Sequence, residues 1–294
     1  LEAGADFTVS GTFDAREDTV ILNGSNAQSI TGPANVADLT FFDLEINNSN
    51  GVSINSGTAG VEQDLILTDG TFSPNGNLTL LSTLSGGAIS DAAITQTGGE
   101  ISENAGDGDA LAQRVVDGSS ARTPSGDNDG DASSGELGDD AGWHTLGVPF
   151  SGKFVNPDLK ALTGSDLRDA DDGQQIPIDL PSGGTSGNTG NSMIFTYDSS
   201  SDSYQSPSDL GETASSIPLE QGKGFILFFF DDNLDSIDDD GFTIEATGRL
   251  PSFGSDVSFT GTEAIDVDGN FAFIANPYPS PYDLDDATLG GSSL

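Results

Sequence analysis

The chain has 294 residues, of which 48 are acidic and eight are Lys or Arg, for a formal net charge of −40, and it contains no cysteine. Disulfides and thiolate metal sites are therefore excluded, and eight scattered cations cannot build the basic patch that a nucleic acid requires. No apolar run reaches the roughly 18–20 residues of a membrane span, so "GFILFFF" at Gly224 reads as a buried strand.

Such a charge repels itself at low ionic strength. Salt of about 1 M shortens the screening length to about 3 Å, so the composition predicts a protein adapted to high salt, with a solvated acidic surface on a secreted protein as the competing reading. With 39 glycines and short runs of Thr, Ser, Val and Ile, the class predicted is all-β: a parallel β-solenoid followed by an antiparallel β-sandwich. The chain begins at Leu1 without a methionine, which predicts a processed protein or a fragment.

Residues 1–112 carry a loose repeat. Apolar ladders end in Asn, Asp or Gly: "TVILNG" at Thr19, "LEINNSNG" at Leu44, "LILTDG" at Leu65 and "LTLLS" at Leu78. Between them lie "AQSITG", "GVSINSG" and "GTFSPNG". The spacing, roughly in the low twenties of residues, is that of one coil of a parallel solenoid, with alternation turning one side inward and Asn-Gly or Asp-Gly supplying corners. A sandwich with hairpin turns has a similar signature, but its turns would more regularly be two residues long.

Residues 113–142 read as an acidic connector by composition. Within it "DNDGDASSGELGDD" alternates Asp127, Asp129 and Asp131, a spacing that suits oxygen ligation of Ca²⁺. The EF-hand pattern fails, because Ala132 takes the place of its glycine and Gly138 its twelfth position. Glu136, Asp139 or Asp140 can close the site, and a solvated linker is the competing reading. "DDNLDSIDDDG" offers a weaker set in Asp231, Asn233 and Asp235.

Residues 143–294 open on "GWHTLGVPF" and continue through "MIFTYD", "GFILFFF", "GFTIEATG", "SDVSFTG" and "NFAFIANP", well-separated strands that suit a sandwich. Trp143 and His144 are the single tryptophan and histidine, read as a core anchor and its strand neighbour. Lys223 between two glycines lacks the phosphate-loop pattern and reads as a turn. Near the end Asn276, Pro277, Tyr278, Pro279 and Pro281 form a stiff turn, since each proline sets φ and removes a donor.

In this order "FFDLEINNSNGVSIN", "QRVV", "GWHTLGVPFSG", "FTYD", "IPLEQGKGFILFF" and "NPYPSPYDLDD" resemble the large secreted surface proteins of the Bacteroidetes group and its halophilic relatives. Those join β-helix coils to a β-domain bearing a "G-N-P-Y-P-S-P" turn, in which Ala275 replaces the usual glycine here. The resemblance implies export, often by type IX secretion, and an extracellular or cell-surface place. It also implies weak O-glycan acceptor triplets at Thr19 ("DTV") and Ser236 ("DSI").

No catalytic set emerges. A lone histidine makes no His-rich metal centre, and the carboxylate pairs are too many to single one out. A solenoid lyase wants cations beside its acids, and residues 1–112 hold only Arg16. The expectation is a non-enzymatic structural protein that assembles with copies of itself. The alternatives are an adhesin fragment using calcium or surface glycans and, behind it, a polysaccharide-active β-helix.

Overall fold

In a computed structural model, the residues described are 1–85, 88–102, 109–116, 142–148, 150, 161–163, 167–169, 194–198, 201, 203–207, 217–220, 224–229, 242–250, 288–289 and 292–293. Nearly all of the regular structure is strand. The N-terminal part contains β1 (Glu2–Ala3), β2 (Phe7–Thr8), β3 (Phe13–Asp14), β4 (Thr19–Leu22), β5 (Gln28–Thr31), β6 (Leu39–Asn47), β7 (Val52–Ser56) and β8 (Ala59–Asp69). It continues through β9 (Thr71–Ser73), β10 (Leu78–Leu80), β11 (Ser82–Ser85), β12 (Ala88–Asp91), β13 (Ala93–Gln96), β14 (Glu100–Ile101) and β15 (Asp109–Val116). A 3₁₀ turn at Val36–Asp38 is capped by Asn35, whose side chain accepts from the Ala37 N–H.

Two parallel sheets organise these strands. One runs β14-β9-β7-β5-β2, and the other begins β1-β4-β6-β8-β10-β15, with β3 also on β6 and β13 also on β8. Register stacks like on like: Val20 beside Leu44, Leu44 beside Leu65, Leu65 beside Ile94. In the β14-β9-β7-β5-β2 sheet Ile30 lies beside Ile54, and Val52 beside Phe72. All of these side chains are buried, at 2% exposure or less. Each such burial stabilises by about 1.5–3 kcal/mol, so the alternating apolar ladders are sufficient cause for the stack. The sequence-predicted ladders at Thr19, Leu44, Leu65 and Leu78 are all strands of the sheet that begins β1-β4-β6-β8-β10-β15.

The long strands β6 and β8 each serve two neighbours. β6 pairs β3 at Leu39–Thr40 and β4 from Asp43 onward, with a register shift between Phe41 and Asp43. β8 pairs β10 at Ala59–Val61 and β13 at Asp64–Leu67. The hairpin β11–β12 is inserted between β10 and β13. It leaves after Leu81 and returns at Ala92, whose N–H donates to the Leu81 carbonyl at 2.8 Å.

Turns between the sheets use left-handed backbone where a side chain has no room. Gly57 (φ 81°) faces the Gly32 and Pro33 carbonyls, and Gly70 (φ 80°) faces the Asn48 carbonyl. Next to that turn lies a buried polar junction. Asn48, 1% exposed, donates to the Asn26 carbonyl (2.8 Å) and to Gln28 Oε1 (2.9 Å), and accepts from the Asn50 N–H (2.9 Å). Gln28 in turn donates to the Ala3 and Ala5 carbonyls and accepts from the Gly24 N–H. Backbone groups left free by the turns are satisfied in this way by side-chain amides.

The remaining strands are β16 (Gly142–Gly147), β17 (Ala161–Thr163), β18 (Arg168–Asp169), β19 (Ile194–Asp198), β20 (Ser203–Gln205) and β21 (Pro218–Glu220). After them come β22 (Gly224–Phe229), β23 (Phe242–Arg249), β24 (Thr288–Leu289) and β25 (Ser292–Ser293). Their pairings are antiparallel. One sheet runs β16-β22-β19-β20, while β17–β21 and β24–β25 are two-stranded.

β15 joins the two patterns. On one side it pairs in parallel with β10, and on the other it pairs antiparallel with β23 through eight residue pairs, Asp109↔Arg249 to Val116↔Phe242. Residue 112, where the repeat region was expected to end, lies inside this strand. Ser82 reinforces the join, accepting from the Val115 N–H at 2.8 Å, and Arg114 pairs with Asp91 of the hairpin. Buried residues of both parts, from Val20 to Leu250, form one continuous apolar cluster.

The chain is thus all-β, with parallel sheets in the N-terminal part. The expected strands "GWHTLG", "IFTYD", "GFILFF" and "FTIEATG" are β16, β19, β22 and β23. "SDVSFTG" and "NFAFIANP" lie outside the described residues.

Candidate functional site

Most of the sequence-predicted site residues fall outside the described residues. Asp127, Asp129, Asp131, Glu136, Asp139 and Asp140 do so, as do Asp231, Asn233, Asp235 and Ser236. The turn residues Asn276, Pro277, Tyr278, Pro279 and Pro281 are also outside them. Thr19 is described: it opens β4, and its hydroxyl donates to Asp43 Oδ2 at 3.0 Å. His144 lies on β16 opposite Leu227, and burial lowers its pKa. Trp143 sits in register with Phe228 of β22.

Three surfaces stand out instead. The first is a run of carboxylates at the bends of β6 and β8. Asp43 and Asp64 are register neighbours, and the Asp64 N–H donates to Asp43 Oδ1 at 3.2 Å. Burial, then the charge of Asp43, raises the Asp64 pKa; burial, then Asp14, does the same for Glu62. The repeated "D-L-E-I" and "D-L-I-L" at Asp43 and Asp64 was the signal for this pairing. Among the described residues no group of three or more His, Cys, Asp or Glu is placed to hold a metal ion.

The second surface is the end of the stack near β1, β2 and β3. Leu1 N donates to the Thr19 carbonyl, and the Leu1 and Ala3 carbonyls accept from Ile21 and Asn23. Alternation therefore turns the Glu2 N–H and C=O away from β4, toward the sheet edge. β2 is the last strand of the other sheet. Here Phe7 and Phe13 are half-buried over buried Phe41, the three ring centroids 5.2–5.7 Å apart.

The third is the outer side of the β16-β22-β19-β20 sheet. Ile194 and Leu227, paired in register, are fully buried and define its inner side. Alternation puts Phe195, Tyr197, Ile226, Thr145 and Tyr204 on the other side. Tyr197 and Tyr204 are cross-strand partners, with centroids 5.5 Å apart and rings at 72°. The pairing was missed from sequence, although "YDSSSDSY" places two tyrosines around a short polar turn.

Comparison with models of known protein families, with curated proteins and with solved structures finds no match for this chain. The functional reading therefore rests on the residues and surfaces described above.

Proposed function

We propose that this protein is an extracellular structural protein that assembles with copies of itself, a β-solenoid stalk carrying an antiparallel β-sandwich. One observation carries the assembly reading: among the described residues the parallel sheets end at β1, β2 and β3 in strands paired on one side, with Phe7 and Phe13 half-exposed beside them. An open parallel edge next to an apolar end is a template for an added strand. A contact between unlike surfaces repeats head to tail, and it builds a filament unless its rotation closes a ring. The motif order that resembles secreted surface proteins supports an exported, surface-associated place, and the charge of −40 supports a high-salt setting. Calcium on the Asp127–Asp139 segment belongs to the same proposal. It rests on acid spacing alone, and its check is calcium-dependent protection from proteolysis that Asp129→Ala with Asp131→Ala removes.

The assembly test is light scattering and electron microscopy of the full chain in molar NaCl. Glu2→Pro removes the outward donor of β1 while leaving the Leu1 and Ala3 bonds in place, and truncation after Pro281 removes a candidate donor segment. Filaments in the parent chain that Glu2→Pro shortens or abolishes are expected. A parent chain that stays monomeric at high concentration overturns the reading.

A further inference from the structure

Tyr204 is 49% exposed, a large aromatic side chain open to solvent. It is also held in place. Its strand is tied by a polar network in which Ser201 Oγ donates to Asp198 Oδ2 (2.7 Å) and Gln205 Nε2 donates to Ser201 Oγ (3.0 Å) and Ser203 Oγ (2.7 Å). The edge-to-face contact with Tyr197 fixes the ring from the side. A rigid, exposed tyrosine offers large contact area at low entropic cost, together with a hydroxyl at its rim.

The surroundings select the chemistry of a partner. Phe195, Tyr197 and Ile226 are half-buried on the same side of the sheet as Tyr204, and Thr145 is exposed there. None of these five positions is charged, on a chain whose net charge is −40. A polyanion is repelled by the chain as a whole, and a cationic partner is drawn to carboxylates elsewhere. What remains complementary to an uncharged strip of rings and hydroxyls is an uncharged ligand with apolar faces and polar edges. Sugar rings have this character: axial C–H bonds on the faces, hydroxyls around the rim. From β16 to β20 the strip crosses three strand spacings, about 14 Å, enough for a short run of linked rings.

We propose that the outer face of the β16-β22-β19-β20 sheet, centred on Tyr204, binds an uncharged polysaccharide. The surface is separate from the strand edge at β1–β3, so the two readings stand or fall independently.

The test is retention of the full chain, in molar NaCl, on cellulose, chitin, starch and xylan, with alginate as the anionic control. Retention on at least one uncharged polymer is expected, and any retention on alginate should fall as the salt is lowered and the repulsion returns. Tyr204→Ala should weaken that retention at least ten-fold while lowering the melting temperature only slightly through loss of the Tyr197 contact, Tyr204→Phe should keep most of it, and Ile89→Ala, at an exposed apolar site elsewhere, should leave it intact. The proposal is overturned if no uncharged polymer retains the protein, or if Tyr204→Ala binds as the parent does. It is equally overturned if Tyr204→Ala abolishes self-association while no glycan is bound, which would make the face a contact between copies.

Discussion

Replacing Asn48 tests whether the buried polar junction holds the stack together. Asn48→Ala deletes three hydrogen bonds, two donated by the side-chain amide and one accepted by its oxygen. Gln28 Oε1 keeps the Gly24 N–H as a partner, so the main orphans are the Asn26 carbonyl and the Asn50 N–H. At about 0.5–1.5 kcal/mol per bond, with a further penalty for buried groups left unpaired, the loss is about 2–4 kcal/mol. Asn48→Asp keeps the shape and the acceptor for Asn50 but sets a carboxylate against two oxygens in a site 1% exposed. An uncompensated buried charge costs about 3–5 kcal/mol, so the nearly isosteric change should do more harm than the truncation. Its carboxyl would titrate above the usual range in the folded state, so stability should return as pH falls through that raised value. Asn50→Ala is the control, losing one exposed bond to the Ser25 carbonyl for about 0.5 kcal/mol. Urea midpoints in molar KCl, compared at constant m-value, give the ranking. If Asn48→Asp is no worse than Asn50→Ala, the junction is not a structural element and the reasoning fails.

Gly57→Ala should cost more than Gly76→Ala: both positions have positive φ, worth about 1–2 kcal/mol for an added Cβ, but only Gly57 also meets neighbouring carbonyls. Equal melting temperatures for the two variants would remove the steric argument. Because burial and like charge raise the Glu62 and Asp64 pKa values, the folded state binds those protons more tightly than the unfolded state. Their penalty is present at neutral pH and is relieved as pH falls through the raised values toward about 4. Asp64→Asn should therefore raise stability at pH 7 by about 0.2–1 kcal/mol and flatten the acid-side gain in denaturation curves. The melting temperature of the parent chain should climb from low salt to molar KCl, and a flat profile would refute adaptation to salt. A protease site engineered at Gly126 should yield two fragments that co-elute under native conditions and part in urea, because β23 remains paired to β15.

Strand positions in the N-terminal part were legible because each ladder repeats one physical pattern: buried apolar residues alternating with polar ones, closed by Asn-Gly or Asp-Gly. Leu44 and Leu65 carry that pattern in plain view. Asn48 and Gln28 did not stand out, since a buried amide and an exposed one are identical in sequence and only neighbouring carbonyls distinguish them. The pairing of β15 with β23 was also hidden. "LAQRVV" sits in a stretch whose composition is that of a linker, and its partner lies more than a hundred residues away, beyond any local periodicity. Tyr204 was invisible for a related reason, because exposure depends on which side of β20 faces the core.

The place of β15 bears on how the molecule carries force. Its bonds to β10 and to β23 lie across the strands, along the direction in which the sheet is stacked. A pull along that direction stretches the bonds of the eight-residue β15–β23 ladder together, so the join resists until many fail at once. A pull that lifts β23 from one end opens the same bonds in sequence and needs far less force. The protein should therefore be strong when drawn lengthwise and weak when bent sideways, an anisotropy that a flexible connector between two halves could not have.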